Sequence, residues 1–131
     1  MISVVINPSY KINHGDTEIT EKTLMAASRT EIFEQMLAVD PNNTPVLFGL
    51  AKEYEKAGED AKLIETLERY LAIADDEGNA FGILARAYER VKQSDKAREA
   101  YDRGIKAAMA HGHPGMAEEY RSILQNEYSM P

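Results

Sequence analysis

Apolar residues return at helical spacing through most of this chain. Leu47, Leu50, Ala51 and Tyr54 fall three or four apart, and so do Ile64, Leu67 and Leu71. The same spacing recurs in Phe81, Leu84, Ala85 and Tyr88, then in Ala97, Ala100, Tyr101, Gly104, Ile105 and Ala108. Such stripes give a helix one face to bury. They predict a helix over about 45–57, with Thr44 as its N-cap, Pro45 in its first turn and Gly58 at its end. A second helix is predicted over about 60–74, a third around Phe81–Tyr88, and a fourth capped by Ser94. The turn His111-Gly112-His113-Pro114 leads to a last helix over about 114–127. Ahead of all these, Ser28 with Glu31 reads as a capping box opening a helix whose apolar face is Ile32, Phe33, Met36 and Leu37. The segment 1–24 fits no such pattern: 3–6 is strand-like, and Ile19, Leu24 and Met25 suit only a short helix.

The stripes are copies of one another. Leu47 and Phe81, Leu50 and Leu84, Ala51 and Ala85, Tyr54 and Tyr88, and Leu67 and Tyr101 all share one offset, a step of 34 along the numbering. A fixed period of this size marks stacked helical hairpins. The expected organisation is an N-terminal extension over 1–27 and a repeat domain over 28–128. The latter divides into a half-repeat helix (28–41), repeat 1 (42–75), repeat 2 (76–109) and a capping helix (110–128).

At this point the chain resembles the tetratricopeptide-repeat family, in the manner of its small bacterial-type members. The family's first helix carries a large residue, then Leu, a small residue and Tyr. Leu47, Leu50, Ala51 and Tyr54 match that order, as do Phe81, Leu84, Ala85 and Tyr88. Ala97, Tyr101 and Gly104 match the second helix. Asp40-Pro41-Asn42-Asn43 resembles the family's closing turn. Met116-Ala117-Glu118-Glu119-Tyr120 echoes the first-helix motif once more, at a slightly shorter step. Leu63 and Tyr70 depart from the pattern at positions usually small, which predicts wider helix spacing in repeat 1. Asp75 and Met109 stand where the family has a closing proline. The resemblance implies an all-α fold, an α-α superhelix of tetratricopeptide hairpins with a C-terminal capping helix. It also implies a protein-binding adaptor, not an enzyme, whose first helices line a concave groove.

Composition narrows the chemistry. Net charge is −7, with 22 acidic and 15 basic residues, which argues against general nucleic-acid binding. Cysteine is absent, so thiolate catalysis and Cys-ligated zinc are excluded, and a reducing, cytoplasmic setting is expected. No apolar run has the length of a membrane span, and the first residues lack the charged start of a signal peptide. No phosphate-binding glycine loop, metalloprotease helix or serine elbow occurs. No cofactor is expected.

Two local clusters admit a sharper reading. His111 and His113 offer two metal ligands but need two more; as turn residues they need only exposure. The pairs Asp75-Asp76 and Glu118-Glu119 suit helix starts better than acid–base catalysis, which needs burial and unequal environments.

The candidate groove follows from the repeat. The outward stripe of the first predicted helix is Phe48, Lys52, Glu55 and Lys56. Its counterpart one repeat on is Gly82, Arg86, Glu89 and Arg90. Lys52, Lys56, Arg86 and Arg90 would form a two-by-two cationic array beside Phe48, suited to an acidic or C-terminal segment of a partner. The family's carboxylate-gripping asparagine positions correspond here to Lys52 and Ile83, which argues against chaperone-tail binding of that type. The reading is a protein or peptide adaptor; the alternatives are a homo-oligomerisation module built on the incomplete first repeat, and a His-dependent metal protein.

Overall fold

The computed structural model describes residues 29–128, all of them in helices or short connections. The extension expected over 1–27, with the strand and short helix expected within it, and the Ser28 half of the capping box lie outside the described residues. Helix α1 occupies 29–39. It is followed by α2 (Thr44–Ala57), α3 (Asp60–Ile73), α4 (Asn79–Arg90), α5 (Ser94–Ala110) and α6 (Pro114–Glu127). Each helix from α2 onward packs against the next in sequence, so α2/α3 and α4/α5 are hairpins stacked side by side, with α6 laid on α5. This is the all-α helical-repeat superhelix that the periodicity predicts.

The core runs along the stack. Leu47, Leu63, Leu67 and Leu84 are fully buried, together with Ala51, Ala85, Ala97, Ala100 and Tyr101. Each leucine contributes about 1.5–3 kcal/mol through burial. The alanines at 51, 85, 97 and 100 have no side-chain bulk beyond Cβ, so neighbouring backbones approach closely enough for Tyr54, Tyr88 and Tyr101 to fill the space between helices.

The caps differ from expectation at two helix starts. Asn43, not Thr44, is the N-cap of α2: its extended backbone lets its side chain accept from the Val46 N–H at 3.2 Å. Thr44 is already the first helical residue. Ser94 likewise lies inside α5, after Gln93. The tight turn there is closed by the backbone bond from Gln93 N–H to the Tyr88 carbonyl at 2.9 Å, and the helix starts one position before the one a Ser94 cap needs. Gly58 ends α2 in the left-handed conformation, with φ of 73°. Its repeat equivalent is Lys92, which holds φ of 65° without being glycine.

The two hairpins solve one packing problem in opposite ways. In repeat 1 the large Phe48 and Tyr70 stack with ring centroids 5.3 Å apart. Tyr70 also donates to Asp76 at 3.0 Å. In repeat 2 the equivalent positions are Gly82 and Gly104, and Tyr120 of α6 fills the space. A Cβ on Gly82 would meet the Tyr120 hydroxyl at 2.6 Å, and one on Gly104 would meet its ring at 2.9 Å. Tyr120 is held there by donating to the Gly78 carbonyl at 2.9 Å.

Candidate functional site

Three first-type helices, α2, α4 and α6, supply most of one concavity. A pocket of about 320 Å³ is lined by Glu55 of α2, by Asn79, Gly82, Ile83, Arg86 and Arg90 of α4, by Tyr101 of α5, and by Glu119, Tyr120 and Ile123 of α6. Its existence depends on the glycine at 82. A side chain there would occupy the floor, whereas Gly82 leaves the Tyr120 ring, Ile83 and Ile123 as an apolar surface. Arg86, Arg90, Glu55 and Glu119 add charges to the lining.

Of the sequence-predicted groove residues, Glu55, Arg86 and Arg90 line this pocket. Phe48, Lys52, Lys56 and Glu89 do not. Phe48 is turned onto Tyr70 and is half-buried between α2 and α3. The lining residues on α6 lay outside the predicted stripe, although the echo of the first-helix motif around Tyr120 was the available signal that a third helix continues the inner face.

Every one of the four cations has a carboxylate partner within the chain. Lys52 pairs with Glu55 at 2.9 Å and Lys56 with Glu53 at 3.7 Å. Arg86 pairs with Glu89 at 2.7 Å and with Glu127 at 3.3 Å, while Arg90 meets Asp60 at 2.9 Å. Four cations thus face five carboxylates, and the array is locally neutralised. The side chains still show solvent: Arg86 is 44% and Arg90 47% exposed.

Glu89 is the hub of the inner network. It accepts from Arg86, from the Tyr101 hydroxyl at 3.5 Å and from the Tyr128 hydroxyl. Burial pushes its carboxyl up, but the bonds from Tyr128 and Arg86 prevail and hold it below its ordinary range. The bond to Glu89 in turn holds the Arg86 guanidinium above its ordinary range, against burial. Arg86 also lies over the Tyr101 ring at 5.6 Å. This network fixes the end of α6 against α4 and so fixes one wall of the pocket.

The two histidines are engaged in pairs. His111 Nε2 is 2.9 Å from Asp75, and His113 Nε2 is 2.6 Å from Glu77. Both join the α5–α6 turn to the segment between α3 and α4. Among the described residues no group of three or more His, Asp or Glu is placed to hold a metal ion. Asp76, between the two acidic partners, accepts from the N–H groups of Gly78 and Ala80 at 2.8 and 3.0 Å and so caps α4. Glu118 is exposed on α6 and meets Arg121 at 3.4 Å. The acidic pairs thus serve helix starts and surface ion pairs. No helix among the described residues is long and apolar enough to cross a membrane.

No family model matches the chain. It is 28% identical over 95 residues to a TPR repeat-containing protein of Pseudomonas aeruginosa, an alignment covering 72% of this chain and 90% of that protein. Two crystal structures of MamA share its fold, each with a TM-score of 0.62. The first is 20% identical and spans 89% of this chain and 76% of its own; the second is 22% identical and spans 85% and 67%. With its repeat register and stacked hairpins, the chain shares the helical-repeat fold of these structures and is similar in sequence to a tetratricopeptide-repeat protein.

Proposed function

We propose that the chain is a non-catalytic adaptor that binds a segment of a partner protein on the inner face of α4 and α6. The observation that carries this reading is the pocket around Gly82, Ile83, Tyr120 and Ile123, an apolar floor with ionic groups around it. Because Arg86 and Arg90 already hold Glu89, Glu127 and Asp60, an acidic group on the partner exchanges with carboxylates of the chain itself. Exposed pairs of this kind are worth about 0–1 kcal/mol each, so apolar contact supplies most of the affinity and the charges select orientation. Salt dependence is accordingly small. The absence of cysteine fits action in a reducing, cytoplasmic setting.

The test is capture of partners from the native host on immobilised protein, comparing wild type with Ile83→Lys/Ile123→Lys and with Arg86→Glu/Arg90→Glu. Loss of a specific partner with the first pair, and weaker retention with the second, supports the reading. Equal capture by all three, with thermal melts showing them folded, contradicts it.

A further inference from the structure

Two polar side chains of the inner pocket are left open by the fold. Glu119 and Asn79 both line the pocket, and both are exposed. Among the described residues neither side chain makes a hydrogen bond or an ion pair. Glu119 has no cation one turn away on its own helix, where Gly115, Met116, Ser122 and Ile123 stand. The other ionic groups of the lining are engaged. Glu55 holds Lys52, Arg86 holds Glu89 and Glu127, and Arg90 holds Asp60. With these partners the lining carries three cations and five carboxylates, a formal charge of −2.

The two open groups share one end of the pocket. Tyr120 donates to the Gly78 carbonyl at 2.9 Å, just before α4 begins. Arg86 meets Glu127 at 3.3 Å, further along both helices. Helices α4 and α6 therefore run in the same direction. Asn79 is the first residue of α4 and Glu119 is the neighbour of Tyr120, so they lie at the starting end. The paired arginines lie toward the other end, with Ile83 and Ile123 between.

This grading decides which charge the pocket accepts. A partner side chain seated on Ile83 and Ile123 displaces water from Glu119. A carboxylate that loses water without gaining a partner is costly. An acidic group adds repulsion there, and at the other end it has to displace Glu89, Glu127 or Asp60. A basic group meets Glu119 with nothing to displace, and the Asn79 amide oxygen adds a second acceptor. Resting on the pocket reading above, we infer that the bound segment carries a lysine or arginine side chain beside its apolar anchor, received by Glu119 and Asn79.

The test selects peptides from a displayed random library on the immobilised full chain. Enriched sequences are synthesised with both ends blocked, so that only side chains carry charge, and are measured by fluorescence anisotropy. They should share an apolar residue with Lys or Arg close by. Glu119→Gln should weaken their binding about three- to fivefold, and Glu119→Lys about tenfold or more. Replacing the basic residue of the peptide with Met should weaken binding to wild type by a similar factor, with little further loss on Glu119→Gln. Glu118→Gln, at a carboxylate paired with Arg121 outside the lining, should bind as wild type does. Circular dichroism confirms that each variant is folded. Acidic enriched sequences, or peptides that lose binding with Ile83→Ser but not with Glu119→Gln, overturn the inference and leave the pocket reading standing. Peptides indifferent to both substitutions, or a library that yields no saturable binder, overturn the pocket reading as well.

Discussion

The Tyr88 hydroxyl donates to the Glu68 carboxylate at 2.7 Å, and one repeat earlier Tyr54 donates to Glu34 at the same distance. Each bond joins the first helix of one hairpin to the second helix of the hairpin before it. The cation–π contacts repeat too: Lys62 lies over Tyr54 at 5.7 Å, and Lys96 over Tyr88 at 5.8 Å. The repeat period is therefore carried by polar contacts as well as by the apolar stripe.

This ladder predicts a loss of stability at high pH. Burial, and then the bond to Glu68, push the Tyr88 phenol up to about 12. Its ordinary value is near 10. A pKa raised on folding means that the stabilisation is fully present below about pH 10 and disappears as pH rises toward 12. Tyr88→Phe should cost about 1–2 kcal/mol at neutral pH. It should also reduce the fall in urea-unfolding free energy between pH 10 and 12. The same alkaline slope in wild type and variant would mean that the phenol does not titrate as described.

The glycines opposite Tyr120 make a sharper packing prediction. Alanine favours a helix over glycine by about 1 kcal/mol, yet Gly82→Ala and Gly104→Ala should each destabilise by about 1–3 kcal/mol through overpacking. Their rescue should differ. The nearest atom to a Cβ on Gly82 is the Tyr120 hydroxyl, so Tyr120→Phe should recover part of the loss. On Gly104 the nearest atoms are Phe81 Cβ and a Tyr120 ring carbon, both at 2.9 Å, so it should not. Double-mutant cycles by thermal melting distinguish the two.

Lys92 adopts the left-handed backbone that Gly58 adopts one repeat earlier. A side chain in that region costs about 1–2 kcal/mol. Lys92→Gly should therefore raise stability by about 1 kcal/mol, after the greater flexibility of glycine in the unfolded chain is counted. An unchanged or lowered melting midpoint would show that the turn gains more from the lysine than the backbone conformation loses.

The bond to Asp75 raises the pKa of His111 above its ordinary 6.5, with Glu77 and Asp76 adding to it and partial desolvation opposing. The stabilisation from this pair is fully present below about pH 6.5, and is lost as pH rises through the raised value. The Asp75→Asn variant should return His111 toward 6.5 in an NMR titration. A wild-type value at or below 6.5 would remove the pair from the account.

Much of the fold was legible because its signal is local and repeated. Leu50, Ala51 and Tyr54 answer Leu84, Ala85 and Tyr88 at one offset, and helical spacing turns that into stacked hairpins. Glu34 and Glu68 carry the same offset, each at one fixed distance along the chain before its tyrosine, so the polar ladder was also present in the sequence. The site was less legible. Lys52–Glu55 and Arg86–Glu89 are neighbours along one helix and could be read directly. Arg90–Asp60 and Arg86–Glu127 join different helices, and only the packing angles of α3 and α6 bring them together. For the same reason the cationic stripe is internally neutralised, and the pocket centres on α4 and α6. Phe48 left the groove because Tyr70 at a normally small position offered it a ring to stack on.

The central functional claim is that partners bind the inner face around Ile83 and Ile123. Its most direct measurement is site-specific photocrosslinking in the native host, with benzoylphenylalanine placed at Ile83 or at Lys106, an exposed position on α5 outside the pocket. The account predicts discrete crosslinked partners from position 83 and none of them from position 106. Crosslinks from 106 with none from 83, in chains that melt as wild type does, would place the binding surface elsewhere.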